Sequence, residues 1–281
     1  MLSHTAGVGL IALLVSQAPH AVMHHFPRWS PDGALVLASS TADGDPEIYL
    51  FPVDGASPRK LTDNAAADDG ARWSRDGRRI FFLSDRRGRL EPFVMNADGT
   101  EQAPFDGPEE SSTSPDGTRI LEMAVEGRGA VVAVDRNGGR RVLTKGFHAE
   151  QGSYSPDGSL ITYEQRSTAD EHDVLQSNII VARADGSHPR VLSNGTDPSW
   201  SPDGRSVLFK TWDAADRQLW ITVASLDGTA QRLAPGVHPH WSPDGRRIAF
   251  MRDQAGRTDI WIMDAQGRNQ ICVTCRLTRQ L

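Results

Sequence analysis

The pentapeptide Trp29-Ser30-Pro31-Asp32-Gly33 decides the fold, because the chain repeats it. WSRDG returns at Trp73 to Gly77, TSPDG at Thr113 to Gly117 and YSPDG at Tyr154 to Gly158. WSPDG itself returns at Trp200 to Gly204 and again at Trp241 to Gly245. The serines fall at 30, 74, 114, 155, 201 and 242, so successive copies lie 44, 40, 41, 46 and 41 residues apart. That period is the one expected of four-stranded propeller blades. Pro, Asp and Gly are turn formers, so each phrase reverses a strand ending in the aromatic residue into a second, apolar strand. Arg79 to Leu83 and Arg247 to Met251 are two such second strands.

A third strand follows a polar loop, as in Glu47 to Leu50, Gln218 to Ile221 and Asp259 to Ile262. It closes on a second turn such as Asp54-Gly55, Asp185-Gly186 or Gln266-Gly267, where glycine takes a positive φ at little cost. Arg59 to Thr62, Arg141 to Thr144 and Arg190 to Ser193 supply fourth strands. A single four-stranded sheet of this kind leaves two apolar faces wet. Stacking the units around an axis buries both, so the reading is an all-β, six-bladed β-propeller of four-stranded antiparallel blades. Repeats open near residues 25, 69, 109, 150, 196 and 237, and the propeller occupies 24–281. The aromatic before each serine is read as interblade packing. Thr113 replaces it in the third unit, which is expected to be the loosest wedge. No strand is visibly exchanged between the termini, so closure is expected from packing, with residues before His25 as a possible extra outer strand.

Composition agrees. The 281 residues carry 30 Lys and Arg against 36 Asp and Glu, a formal charge of -6, with a mean hydropathy of -0.43. A mildly acidic, soluble chain of this kind argues against a generic nucleic-acid binder. The 38% hydrophobic content excludes disorder. Residues 1–23 read as a signal peptide or a disordered tail. The apolar run Gly7 to Val15 suits a signal core and is too short to span a bilayer, although no Lys or Arg precedes it. Export to the periplasm or outside the cell follows, or a cytoplasmic location if Met23 is the true start. Cys272 and Cys275 lie in a strand-like stretch, where positions i and i+3 face opposite sides, so a local disulfide is expected to be strained. A zinc site needs further ligands, and the pair is read as structural thiols.

The phrase Pro-x-Trp-Ser-Pro-Asp-Gly, at Pro27 to Gly33 and Pro239 to Gly245, precedes an apolar strand, an Ile-aromatic strand, an Asp-Gly turn and Leu-Thr. It resembles the TolB-type propeller repeat over roughly residues 24 to 278. The resemblance implies the propeller fold. It leaves function open, since related propellers bind proteins, gate serine hydrolases or act as oligogalacturonate lyases. In the family's namesake it implies a periplasmic protein whose propeller mouth engages a lipoprotein and which carries a separate N-terminal α/β domain. Here about 24 residues precede the first blade, so that domain is expected to be missing.

No Gly-x-Ser-x-Gly elbow, His-Glu-x-x-His, phosphate loop or dinucleotide fingerprint occurs in the sequence. Attention therefore falls on the channel. Innermost strands enter from one mouth, and the fifth residue before each repeat serine is His25, Asp69, Glu109, Glu150, Thr196 or Val237. The fourth is Phe26, Gly70, Glu110, Gln151, Asp197 or His238. An acidic mouth is expected, favouring a divalent cation or basic groups on a partner, with a solvated rim holding no ion as the simpler reading. His25, His238 and His240 are the candidate ligands for a transition metal. The long loop Gln165 to Ser177 and Trp212 in blade five add possible contacts. Paired arginines at 78–79 and 246–247 are read as solvated hairpin charges. The expected function is a monomeric, non-catalytic interaction module binding a protein partner, such as a lipoprotein or another envelope component, through His25, Asp69, Glu109, Glu110, Glu150, Asp197, Trp212 and His238. The alternative is a metal-dependent polysaccharide lyase.

Overall fold

The computed structural model describes residues 22–106, 114–124, 129–144, 149–166, 177–254 and 256–275, and of Glu122 to Ala124, Glu150 and Gln151 only the backbone. The chain is a six-bladed β-propeller. Blade one is His24–Trp29, Leu35–Ser40, Glu47–Pro52 and Arg59–Lys60, paired in sequence order as an antiparallel meander. Blades two, four, five and six repeat that order from Asp68, Ala149, Thr196 and Val237. Blade three shows Arg119–Ala124, Ala130–Asp135 and Arg140–Val142, while its expected innermost strand, with Glu109, Glu110 and Thr113, lies outside the described residues. No helix among the described residues is long and apolar enough to cross a membrane.

The repeated turn is built from its own side chains. Ser30 Oγ donates to Asp32 Oδ1 at 2.5 Å and accepts the N–H of Leu35 at 2.9 Å, while Asp32 Oδ1 also accepts the N–H of Ala34 at 3.0 Å. The same Ser–Asp bond recurs at 74–76, 114–116, 155–157, 201–203 and 242–244. These bonds to the ionised form hold all six aspartates below the usual carboxylate range, the serine hydroxyl contributing most. The motif is thus a structural staple.

Apolar cores lie between blades rather than within them. Leu37, Ile48 and Leu50 of blade one meet Ile80, Phe82 and Met95 of blade two. Ile179 and Val181 of blade four meet Val207 and Phe209 of blade five, and Leu208 and Ile221 meet Ile248 and Phe250 of blade six. Fully burying each such side chain contributes roughly 1.5–3 kcal/mol, which is why a lone blade cannot hold its shape. The aromatics before the serines pack where expected: Trp29 Nε1 donates to the His240 carbonyl of blade six at 3.1 Å, and Trp200 Nε1 to the Ser153 carbonyl of blade four at 3.3 Å.

Blade six meets blade one through contacts that bear on several readings of the sequence. The extra outer strand expected before His25 falls on 1–21, which lie outside the described residues. Met23 forms a parallel bridge to Thr258 of blade six, and its carbonyl accepts the N–H of Thr41 of blade one at 3.0 Å. With packing of Trp29, Phe51, Ala249 and Ile262 it closes the ring. Cys272 and Cys275 are joined as a disulfide with their Cα atoms 5.6 Å apart. The sequence reading assumed a continuous strand, but the strand is only Ile271–Cys272; the Val273 N–H still donates to the Ile260 carbonyl at 2.8 Å, and the Thr274 hydroxyl takes the N–H of Ile260 at 3.0 Å. The chain leaves the ladder there and Cys275 turns back. Arg247 is also no free hairpin charge: its guanidinium donates to the Gly33 carbonyl at 2.9 Å and lies 4.6 Å over the Trp29 ring.

Candidate functional site

The first strands ring the axis, those of blades six and two lying against that of blade one. Each described first strand carries a bulge, between His25 and Arg28, Asp69 and Arg72, Glu150 and Ser153, Thr196 and Ser199, and Val237 and His240. At four of them the bulge residue is left-handed: Phe26 (φ 53°), Gly70 (φ 65°), Asp197 (φ 56°) and His238 (φ 49°). Blade two uses glycine there. The other three hold full side chains in a conformation that costs L-residues roughly 1–2 kcal/mol each. Strain of this kind gathers where a surface is shaped for use.

Those three side chains form one arc across blades five, six and one. His238 Nδ1 stands 3.9 Å from Asp197 Oδ2, and its ring meets Phe26 edge-on with centroids 4.9 Å apart. Asp197 is ion-paired with Lys210, and its N–H donates to Glu164 Oε2 of blade four at 3.3 Å, which carries the arc to a fourth blade. Burial pushes the Glu164 carboxyl up. In blade two, Asp69 accepts the Ser39 hydroxyl of blade one and the N–H of Gly70. His25 stands beside the arc, its ring 5.9 Å from Phe26. Trp212 is 38% exposed at the end of its strand, next to Asp213, which pairs with Arg232.

Sequence reading missed the cations of the channel. Arg28 and Arg72 sit two residues before their serines, where His240 sits in blade six. Burial and then the like charge of Arg72 push the Arg28 guanidinium down to about 10, against the pull of Asp197. Burial, then Arg28 and His238, hold His240 well below the usual imidazole range. His238 is likewise lowered, by burial first and Lys210 next. Both rings are therefore neutral at pH 7. Of the carboxylates expected at the lip, Asp197 is paired with Lys210 while Asp69 is bonded to Ser39 and Gly70; reading the residue two before each serine would have exposed Arg28 and Arg72. Glu109 and Glu110 lie outside the described residues, as do 167–176 of the long loop. His25, His238 and His240 do not converge on one point: the only set of three such donors within 4.8 Å of one another, among the described residues, is Asp259, Cys272 and Cys275.

A closed ring of four-stranded antiparallel blades defines a β-propeller domain. The family model described as the TolB beta propeller domain matches residues 14–186, and the chain belongs to that family. A Tol-Pal system protein TolB of Wolinella succinogenes is 24% identical over 195 residues, covering 68% of this chain and 37% of that protein. Among solved structures, TolB from Acinetobacter baumannii superposes with a TM-score of 0.63 at 16% identity, over 90% of this chain and 63% of that one. An oligogalacturonate lyase from Vibrio parahaemolyticus superposes with a TM-score of 0.53 at 16% identity, over 91% and 79%. At these identities the structural likeness shows the shared fold.

Proposed function

We propose that this propeller is a non-catalytic interaction module of the cell envelope that binds a protein partner across the mouth bearing Phe26, Asp69, Asp197 and His238. The reading is carried by the arc of three left-handed side chains on successive blades. Blade two meets the same bulge with glycine, so the bulge itself does not require Phe, Asp or His at that position. The relative named as part of the Tol-Pal system supports the envelope setting, and so does the Cys272–Cys275 disulfide, since such bonds persist in oxidising compartments. Binding energy would come from a few anchors, Phe26 and Trp212 among them, ringed by paired charges.

The test is capture from envelope extract by the wild type and by a Phe26→Ala, Asp197→Asn, His238→Asn variant, since asparagine tolerates the left-handed conformation. Loss of the captured protein by tenfold or more is expected, and equal capture by a correctly folded variant removes the mouth from the argument. A second reading, a metal-dependent lyase, draws on His238, 3.9 Å from Asp197, and on His240 beside it in the same strand. Stoichiometric metal in the purified protein, lost on changing those histidines, would favour it.

A further inference from the structure

The Cys272–Cys275 pair takes no part in the channel, yet it has a third donor beside it. One oxygen of Asp259 and the two sulfurs lie within 4.8 Å of one another, Asp259 on the third strand of blade six, Cys272 on the fourth and Cys275 in the turn after it. Asp259 is only 4% exposed. Its Oδ1 accepts from Arg257 Nη2 at 2.9 Å and from the Thr274 hydroxyl at 2.8 Å, so the carboxylate is already oriented. We propose that reduction of the Cys272–Cys275 disulfide opens a site for a borderline divalent transition-metal ion, of the Zn2+ or Co2+ kind, held by Cys272 Sγ, Cys275 Sγ and an Asp259 oxygen, with a fourth position left to water.

The redox step balances. A dithiol reductant gives two electrons and two protons to the S–S bond and itself becomes a disulfide, and the incoming M2+ then displaces both thiol protons. The charges also balance: two thiolates and one carboxylate against the ion and the Arg257 guanidinium sum to zero. Without the ion, three anions would crowd a half-buried corner, which favours the thiols or the disulfide. Cys-x-x-Cys is the spacing that zinc sites use, and a tetrahedral site with metal–sulfur and metal–oxygen lengths of about 2.3 and 2.0 Å sets its donors about 3.5–3.8 Å apart. Side-chain rotation spans that change. The Cys275 N–H already points at Cys272 Sγ, 3.0 Å away, a bond that steadies a thiolate ligand. Access is provided by a cleft of about 610 Å³ between blades six and one, lined by Phe51, Arg247, Ile271 and Cys272.

Cobalt(II) is the probe, because thiolate ligation gives intense near-ultraviolet charge-transfer bands and a tetrahedral visible spectrum. The whole protein is reduced with a phosphine, desalted without oxygen and titrated with Co2+, beside an unreduced sample of the same preparation. One equivalent binding only to the reduced protein is expected, with both band sets lost in Cys272→Ser. Affinity should fall tenfold or more in Asp259→Asn, whose fold is checked by circular dichroism. Absence of bands in the reduced wild type overturns the proposal, and so does unchanged affinity in Asp259→Asn. If that variant does not fold, Zn2+ competition for the reduced wild type decides: failure of Zn2+ to displace Co2+ stoichiometrically overturns it too.

Discussion

Changing Ser242 to alanine should destabilise the ring by about 1–2 kcal/mol although it removes a single oxygen atom. That oxygen is fully buried. It donates to Asp244 Oδ1 at 2.6 Å and accepts the backbone N–H of Arg247 at 2.9 Å. Alanine leaves that amide without an acceptor inside the turn, where an unmet donor costs roughly 1–3 kcal/mol; partial burial places the effect in the lower half of the range. Asp244 keeps the N–H of Arg246 at 3.0 Å, and water replaces the lost hydroxyl, so its share is small. Asp244→Ala is the converse. It leaves Ser242 able to accept from Arg247 and removes only exposed contacts, for under about 1 kcal/mol. Urea unfolding of both single variants and the double variant closes the cycle, with a coupling of about 0.5–1 kcal/mol expected for groups in direct contact. For a chain of this size 1 kcal/mol corresponds to about 2–4 °C in Tm. The carboxyl of Asp244, held down mainly by Ser242, should rise toward its ordinary range in Ser242→Ala. A serine variant as stable as wild type, or strictly additive effects, would refute the claim that the repeat is kept by its internal hydrogen bonds.

Other expectations follow from single contacts. A Cβ on Gly186, at φ +78°, would collide with the Leu143 carbonyl oxygen of blade three, whereas one on Gly228, at φ +91°, meets nothing within 4 Å. Gly186→Ala should therefore cost clearly more than the roughly 1 kcal/mol of Gly228→Ala, and equal melting temperatures would mean that this turn does not press on its neighbour. His24 is fully buried, with neither ring nitrogen bonded, and burial pushes its imidazole down to about 4 from 6.5. The folded state binds that proton more weakly than the unfolded chain, so stability present above pH 6.5 is lost as the pH falls toward 4, by about 3 kcal/mol at most. His24→Phe should flatten the profile in that window, and an unchanged profile measured by chemical unfolding would place the sensitivity elsewhere. The staple aspartates act lower on the scale: Asp157, lowered to about 2 chiefly by Ser155, favours the fold above its ordinary value and loses that contribution as pH drops through 4 to 2. Asp157→Asn should therefore lessen acid sensitivity in that range.

What could be read in advance was what each repeat decides alone. A serine and an aspartate two residues apart bond to each other wherever the rest of the chain lies, so counting serines located every described blade to within a residue or two. The same counting singled out Asp69, Asp197 and His238, which lie at the bulges of their inner strands. The bulges were not legible, because an extra residue in an inner strand shows only against its partner strand. With them went Arg28, whose guanidinium is pushed down by burial and then by Arg72 across a blade boundary. The disulfide escaped for a similar reason. Thr274 was visible as the Thr of a Leu-Thr-like strand end, as Thr62 and Thr144 are in blades one and three. That its hydroxyl takes an amide of the neighbouring strand is a contact between strands.

Repetition and difference divide the labour in this ring. Positions that recur, the Ser–Asp bond and the aromatic behind it, face the turn and the blade seam, and they bear on stability. Positions that differ from blade to blade gather on the inner strand: Phe26, Gly70, Asp197 and His238 in one register, Arg28, Arg72, Ser153, Ser199 and His240 in the next. A ring whose lip kept its six-fold sameness could discriminate little beyond overall charge. One with an aromatic, an ion pair and neutral imidazoles on successive blades can fix both the identity and the rotation of what docks there. Two classes of substitution should therefore separate. Ser242→Ala should lower Tm and leave capture of the partner intact in the cold, whereas the Asp197 and His238 variants should weaken capture with Tm held within about 2 °C. If both classes moved both measurements together, the lip would be part of the fold's own packing, and the strain at Phe26, Asp197 and His238 would need another cause.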